Sequence, residues 1–197
     1  MGRIVITEFV SLDGVMEDPA GNEGSGLGAW TFQVSRGPDG DKFKLDETLS
    51  SEALLLGRVT YQGFAAAWPS LKGEFADKFN SVPKYVVSST LAEAEWNNST
   101  VLSGNVVEEV SKLRQRLAGD IVVHGSARLA QTLLEHDLVD ELRLMVFPVV
   151  LGRGKRLFGD LSENKRLRLA ASRMVGDGIV ILTYEPAAGE ANEPPAS

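Results

Sequence analysis

A mixed, mainly parallel α/β sheet with flanking helices and a C-terminal antiparallel hairpin follows from three features of the chain. Short β-branched and aliphatic runs alternate with segments whose apolar residues recur at helical spacing, the pattern of strand–helix–strand units. Several runs end in turns of Gly, Ser and Thr, residues that open helices. The last two runs, Leu167 to Val175 and Ile179 to Tyr184, break the alternation and flank Gly176-Asp-Gly178, a turn suited to positive φ and so to a hairpin.

The first strand holds Ile4 and Ile6, ends near Val10, and is turned by Ser11-Leu-Asp-Gly14. From Glu17 to Gly40 six glycines, Pro19 and Pro38 predict a long loop, and Trp30-Thr-Phe32 inside it suggests a lid with aromatics to pack on something. Asp41 is a candidate N-cap for a weak helix to about Ser51. A strand from Ala53 to Leu56, the turn Gly57-Arg-Val-Thr60 and a helix towards Trp68 come next. A polar helix near Glu74 to Phe79 leads to a strand from Lys84 to Val87, the turn Ser88-Ser-Thr90 and a short strand near Thr100 to Leu102. Val106, Val110, Leu113 and Leu117 mark a helix between Asn105 as cap and Gly119 as stop. Asp120 to Val123 is a buried strand, followed by His124-Gly-Ser126 and a helix carrying Leu129, Leu133 and Leu134. Leu142 to Val150 predicts one long strand, apolar enough to suggest a dimer face, and Gly152-Arg-Gly154-Lys-Arg156 a basic turn. From Pro186 three prolines and no large apolar residue predict a disordered tail, 186–197, after one domain spanning 1–185.

Composition narrows the function. With 197 residues, 43% hydrophobic, the chain can bury a core unaided. It has no cysteine, so disulfides, thiolate metal sites and a Cys nucleophile are excluded, and no metal site is expected from two histidines. The net charge of -7 argues against nucleic-acid binding, so an anionic ligand must be held locally. The longest apolar run contains Pro148 and is too short to span a bilayer, and the N-terminus carries Glu8 inside its apolar stretch rather than a signal pattern. No membrane role and a cytoplasmic location are the expectations.

Ligands of parallel α/β sheets sit outside the carboxyl ends of the strands, so the turns there are compared. Gly57-Arg58-Val59-Thr60 offers a glycine, a guanidinium and a hydroxyl at a helix mouth, where free N–H groups and the dipole favour an anion. Ser88, Ser89 and Thr90 offer hydroxyls, and Gly125-Ser126-Ala127 repeats the small-residue turn before a helix. Each is also ordinary turn chemistry. Together they suggest a phosphate-rich, extended ligand such as a dinucleotide, with Arg58 suited to a ribose 2′-phosphate. Gly24-Ser-Gly-Leu-Gly-Ala29 has the letters of a dinucleotide fingerprint but opens onto no helix, and Gly154-Lys155 lacks the rest of a P-loop. The cluster Arg153, Lys155 and Arg156 is either a solvated turn or a substrate-phosphate contact. No HExxH or GxSxG motif is present.

Ser11-Leu-Asp-Gly14, Leu55-Leu-Gly-Arg-Val-Thr-Tyr61, Val87-Ser-Ser89, Val123-His-Gly-Ser126, Leu138-Val-Asp-Glu-Leu142 and Phe147-Pro-Val-Val-Leu-Gly152 with Leu157-Phe158 resemble the dihydrofolate reductase superfamily. Over about residues 3 to 185 the chain is similar to bacterial proteins related to the RibD C-terminal reductase domain of riboflavin biosynthesis. That resemblance implies a dihydrofolate reductase-like fold, NADPH as cofactor, hydride transfer to a small-molecule substrate, and commonly a homodimer. It places Gly57, Arg58 and Thr60 at the adenosine-side phosphates, Ser88 and Ser89 around the 2′-phosphate, and Gly125, Ser126, Ala127, Arg128 and Leu129 at the pyrophosphate. It places Trp30 near the nicotinamide, with a loop anchor as the alternative, and Asp13 as the acidic member of its turn, with an Asx-type turn as the alternative. His124 stands where the RibD domain has a substrate-contacting glutamate. It is the candidate proton donor by its ordinary pKa, or else a core histidine. The implied activity is reduction of a ribosylamino-pyrimidine or related heterocycle, as in 5-amino-6-(5-phosphoribosylamino)uracil reduction; the alternatives are a non-catalytic NADPH-binding module or dihydrofolate reductase-type activity.

Overall fold

Parallel pairing dominates the sheet. The computed structural model describes residues 1–187. Its strands are β1 (Arg3–Ser11), β2 (Ser51–Gly57), β3 (Lys84–Val87), β4 (Ser99–Leu102), β5 (Asp120–His124), β6 (Glu141–Phe147), β7 (Leu167–Val175) and β8 (Ile179–Pro186). They lie in the order β4-β3-β2-β5-β1-β6-β8-β7. The first six are parallel to one another, and the β7–β8 hairpin joins β6 through β8 as the antiparallel edge.

Five helices connect them: α1 (Gly37–Ser50), α2 (Arg58–Ala67), α3 (Glu74–Ser81), α4 (Val106–Arg116) and α5 (Ala127–Glu135). Alternation along the strands sorts the core into two faces. Ile4, Ile6, Ile121, Val123, Leu142 and Leu144 pack with Val110 and Leu113 of α4 and Leu129 and Leu133 of α5. On the opposite face Val5, Leu54, Leu56 and Val122 meet Tyr61 of α2 and Phe79 of α3. A third cluster, under α1, joins Met145, Phe147, Val175, Ile179 and Ile181 to Trp30.

The departures from expectation have local causes. Helix α1 starts at Gly37 rather than Asp41, because Pro38 occupies a first-turn position where its fixed φ suits a helix and its missing N–H costs nothing. Strand β6 stops at Phe147 before Pro148, which has no N–H for a ladder. Its apolar residues are consumed inside the chain, between β1 and β8, so this stretch is not an open dimer face. The Glu17–Gly40 loop contains a short 3-10 turn, Trp30–Gln33. The expected tail, 186–197, lies outside the described residues except at its start, where Pro186 closes β8 and the Ala187 N–H donates to the Arg166 carbonyl at 3.0 Å. No helix among the described residues is long and apolar enough to cross a membrane.

Candidate functional site

The carboxyl ends of β1, β2, β3 and β5 open into a cleft of about 1450 Å³. This exceeds the roughly 300–1,000 Å³ of an ordinary small-molecule pocket and leaves room for two ligands side by side. Its floor is made where the β2–α2 and β5–α5 turns cross. The Ser126 N–H donates to Thr60 Oγ1 at 2.9 Å, the Gly57 N–H donates to Ser126 Oγ at 2.9 Å, and that hydroxyl donates to the His124 carbonyl at 3.1 Å. Gly125 and Ser126 both sit at positive φ, +57° and +61°. Glycine adopts that conformation freely, whereas Ser126 is strained there and is held by its two hydroxyl bonds. A Cβ on Gly125 would meet Thr60 Oγ1 at 2.9 Å, so the crossing demands glycine.

The cofactor-assigned residues therefore divide by task. Gly57, Thr60, Gly125 and Ser126 lock the two turns together, and all of them line the cleft. The Ser88 hydroxyl accepts from the Thr90 and Leu91 N–H groups at 3.2 and 3.0 Å, holding its own turn, while Ser89 is exposed. Arg58, on the first turn of α2, and Arg128, on the first turn of α5, line the cleft, are exposed and form no ion pair with any described residue. Ala127 also lines the cleft, and Leu129 lines it from a core position.

Two residues assigned near the reaction lie elsewhere. Trp30 is 0% exposed, stands edge-on to Phe147 with ring centroids 5.5 Å apart, and donates from Nε1 to the Glu17 carbonyl at 2.9 Å. It does not line the cleft and anchors the loop from beneath; the aromatic that the loop presents to the cleft is Phe32, 74% exposed. Asp13 ties two turns, accepting from Ser11 Oγ at 2.7 Å and from the Leu151 and Gly152 N–H groups at 3.1 and 2.8 Å. The Ser11 hydroxyl and these amides lower its pKa to about 2, so it stays ionised. The basic turn is a clasp: Arg153 donates to the Gly26 carbonyl at 3.1 Å, Lys155 pairs with Glu17 at 2.7 Å, and Arg156 bonds the Asp13 carbonyl.

His124 does line the cleft, at the end of β5 opposite Thr7 of β1. Burial first, then the charges of Lys44 and Arg143, lower its pKa to about 3, so its imidazole is neutral at neutral pH. The expectation that its ordinary pKa suits it to proton donation fails on this environment. Its Nε2 is buried with no hydrogen-bond partner among the described residues.

Beside it lies a polar cluster that sequence patterning passed over. Helix α1 turns Lys44, Glu47 and Thr48 inward. The Lys44 ammonium donates to Thr7 Oγ1 at 3.0 Å and to Glu47 Oε2 at 2.5 Å, and Arg143 reaches Glu47 at 3.4 Å. Burial pushes the Glu47 pKa up, but the charge of Lys44 together with the hydrogen bonds from Lys44 and Thr7 brings it below the ordinary carboxylate value and keeps Glu47 an anion. Glu8 of β1 is 6% exposed and lines the cleft, and its Oε1 has no hydrogen-bond partner among the described residues. Burial drives its pKa well above the carboxylate range, against the opposing pull of Lys44 and the Gly125 N–H. A charged residue inside an otherwise apolar strand was the available signal for Glu8. Among the described residues no group of three or more His, Cys, Asp or Glu side chains is arranged to hold a metal.

Comparison with known proteins agrees with this architecture. Residues 3–181 match the profile of the RibD C-terminal domain. The uncharacterised Bacillus subtilis protein YyaP is 31% identical over 187 residues, covering 92% of this chain and 94% of its own. A second uncharacterised protein of that organism, YwjB, is 26% identical, covering 90% and 94%. Among crystal structures, a Shewanella protein provisionally assigned to riboflavin biosynthesis superposes with a TM-score of 0.77 at 22% identity, covering 94% of this chain and 99% of its own. The Thermotoga maritima diaminohydroxyphosphoribosylaminopyrimidine deaminase/5-amino-6-(5-phosphoribosylamino)uracil reductase superposes at 0.64 and 15% identity, covering 94% of this chain and 57% of that longer one. At these identities the two crystal structures establish the shared fold. With a profile match over nearly its whole length and a full-length relative above 30% identity, the chain belongs to the RibD C-terminal domain family.

Proposed function

We propose that the protein is an NADPH-dependent reductase whose substrate is a small heterocycle of the ribosylamino-pyrimidine type. The observation that carries this reading is a pair of guanidinium groups, Arg58 and Arg128, that form no ion pair with any described residue and stand on the first turns of two helices that flank one large cleft. Phosphate groups are the ligands that such helix mouths and guanidinium forks take. The family membership and the reductase named in the Thermotoga relative support the reaction class.

The residues fit the cofactor. Arg58 and Ser89 would hold the 2′-phosphate, and Arg128 with the opening turn of α5 the pyrophosphate. Gly57 and Gly125, whose missing Cβ atoms make room for Ser126 and Thr60, bring the mouths of α2 and α5 together at one cleft. When bound, NADPH would supply the hydride. The chain's own part is positioning: the crossed turns fix the floor, Phe32 offers a ring face at the lip, and Glu8 and His124 carry buried polar atoms that a ligand can satisfy. Leaving such atoms unpaired costs roughly 1–3 kcal/mol each, which a hydrogen-bonding heterocycle would recover. A homodimer is part of the same proposal, through the β7 edge, where Leu169 and Met174 are exposed. Light scattering tests that part, and a monomeric mass contradicts it.

The deciding experiment for the activity is a panel of reducible heterocycles, including 5-amino-6-(5-phosphoribosylamino)uracil and dihydrofolate, followed by NADPH absorbance. Consumption of NADPH with a pyrimidine substrate is expected. A protein that binds NADPH and oxidises it with none of the panel is a binding module instead.

A further inference from the structure

Among the described residues five carboxylic acids line the cleft: Glu8, Glu17, Glu23, Asp41 and Glu74. Glu17 is paired with Lys155 and Asp41 with Arg36, while Glu23 and Glu74 are exposed to solvent. Glu8 alone is buried, and it alone keeps a buried oxygen with no partner. It sits one residue beyond Thr7, whose register partner His124 ends β5, so that β1 continues where β5 turns away. The crevice opened by that divergence is lined by Glu8 on one side and by Gly125 and Ser126 on the other.

We propose that Glu8 delivers the proton that hydride reduction of a C=N or C=O group requires. The inference rests on the reading of this cleft as that of an NADPH-dependent reductase. As the substrate carbon receives hydride and a C–H bond forms, the π electron pair moves onto the neighbouring nitrogen or oxygen. That heteroatom takes the proton from the Glu8 carboxyl, breaking its O–H bond, and the carboxylate left behind regains a proton from solvent.

The surroundings suit Glu8 to this role and unsuit the alternatives. From α1, the Lys44 ammonium is shared between Thr7 and Glu47 and is committed to both. Glu47 is an anion held by Lys44 and Arg143, and it has no proton to give. His124, from β5, is neutral, and Asp13 lies outside the cleft. Glu8 faces the Gly125 N–H and feels Lys44 and Glu47, yet burial dominates and favours its protonated form. A carboxylic acid kept neutral in a buried site is a hydrogen-bond donor and a proton source at once.

The test uses the full chain with Glu8→Gln and Glu8→Asp. Urea unfolding at about pH 5 and about pH 8 needs no substrate. Folded Glu8 keeps a proton that the unfolded chain releases above its ordinary value, so wild type loses stability relative to Glu8→Gln as the pH rises. An equal pH response in the two proteins overturns the proposal. NADPH titration comes next, where Glu8→Gln is expected to retain wild-type affinity. In turnover of 5-amino-6-(5-phosphoribosylamino)uracil or whichever panel compound wild type reduces, Glu8→Gln is expected to lose roughly 100-fold or more in kcat, and Glu8→Asp to recover part of it. The alkaline limb of the wild-type pH profile should vanish in Glu8→Gln. Wild type that fails to bind NADPH removes the reductase reading itself. Wild type that binds NADPH, with Glu8→Gln retaining full turnover and the same alkaline limb, removes only the role of Glu8.

Discussion

Adding one methyl group at Gly125 perturbs the crossing of the two cleft turns at its tightest point. Gly125 has φ +57°, and an alanine Cβ there would stand 2.9 Å from Thr60 Oγ1 and 3.1 Å from Thr60 Cγ2. The left-handed conformation costs a residue with a Cβ roughly 1–2 kcal/mol. Displacing the Thr60 hydroxyl breaks the bond it accepts from the Ser126 N–H, at about 1 kcal/mol or more for a partly buried donor. The expected loss is about 2–4 kcal/mol, which for a domain of this size lowers Tm by roughly 5–15 °C. Thermal and urea unfolding measure it. The structure further predicts coupling, because Thr60→Ala removes both clashing atoms and the same hydrogen bond. The double variant Gly125→Ala/Thr60→Ala should therefore lose about 1 kcal/mol less than the sum of the single variants. Wild-type stability in Gly125→Ala, or strict additivity in the double variant, would refute the locked-turn account.

Other outcomes follow from the same geometry. Trp30→Ala should destabilise the fold by about 3–5 kcal/mol, since it empties a fully buried indole site and strands the Glu17 carbonyl, while NADPH affinity of the folded fraction stays close to wild type. A selective loss of NADPH affinity without a loss of stability would return Trp30 to the cleft. His124 has a folded pKa of about 3 against an ordinary 6.5, so below about 6.5 the unfolded chain takes up a proton that the folded chain refuses. Stability should fall as pH drops through that window, and His124→Gln should flatten the decline. Parallel acid limbs for the two proteins in urea titrations would show that His124 is not buried neutral.

Much of this was legible because apolar periodicity reports burial directly. Strands β3 and β7, the Asn105-capped helix α4 and the glycine turn of the hairpin follow from local spacing and turn chemistry. What stayed hidden depended on partners distant in sequence. Helix α1 carries no apolar stripe because it buries Lys44 and Glu47 against Thr7 and Arg143, so its polar pattern reads as weakness rather than as a site. The sequence shows the loop aromatics, but which ring points inward is decided by Phe147 and the Glu17 carbonyl. The helix position of Ser126 points to a ligand, yet its hydroxyl is spent on Gly57 and His124, a contact between turns 69 residues apart.

The central claim is that the cleft holds NADPH by its phosphates, and a direct titration of NADPH and NADH against wild type and Arg58→Ala tests it. In the proposed complex the 2′-phosphate would meet the Arg58 guanidinium, which lines the cleft and forms no ion pair with any described residue, and a charge-assisted hydrogen bond contributes about 1.5–3 kcal/mol. Wild type should bind NADPH roughly 10- to 100-fold more tightly than NADH, and Arg58→Ala should remove most of that preference while leaving NADH affinity nearly unchanged. Equal affinity for the two cofactors in wild type, or an equal loss for both in Arg58→Ala, would contradict it.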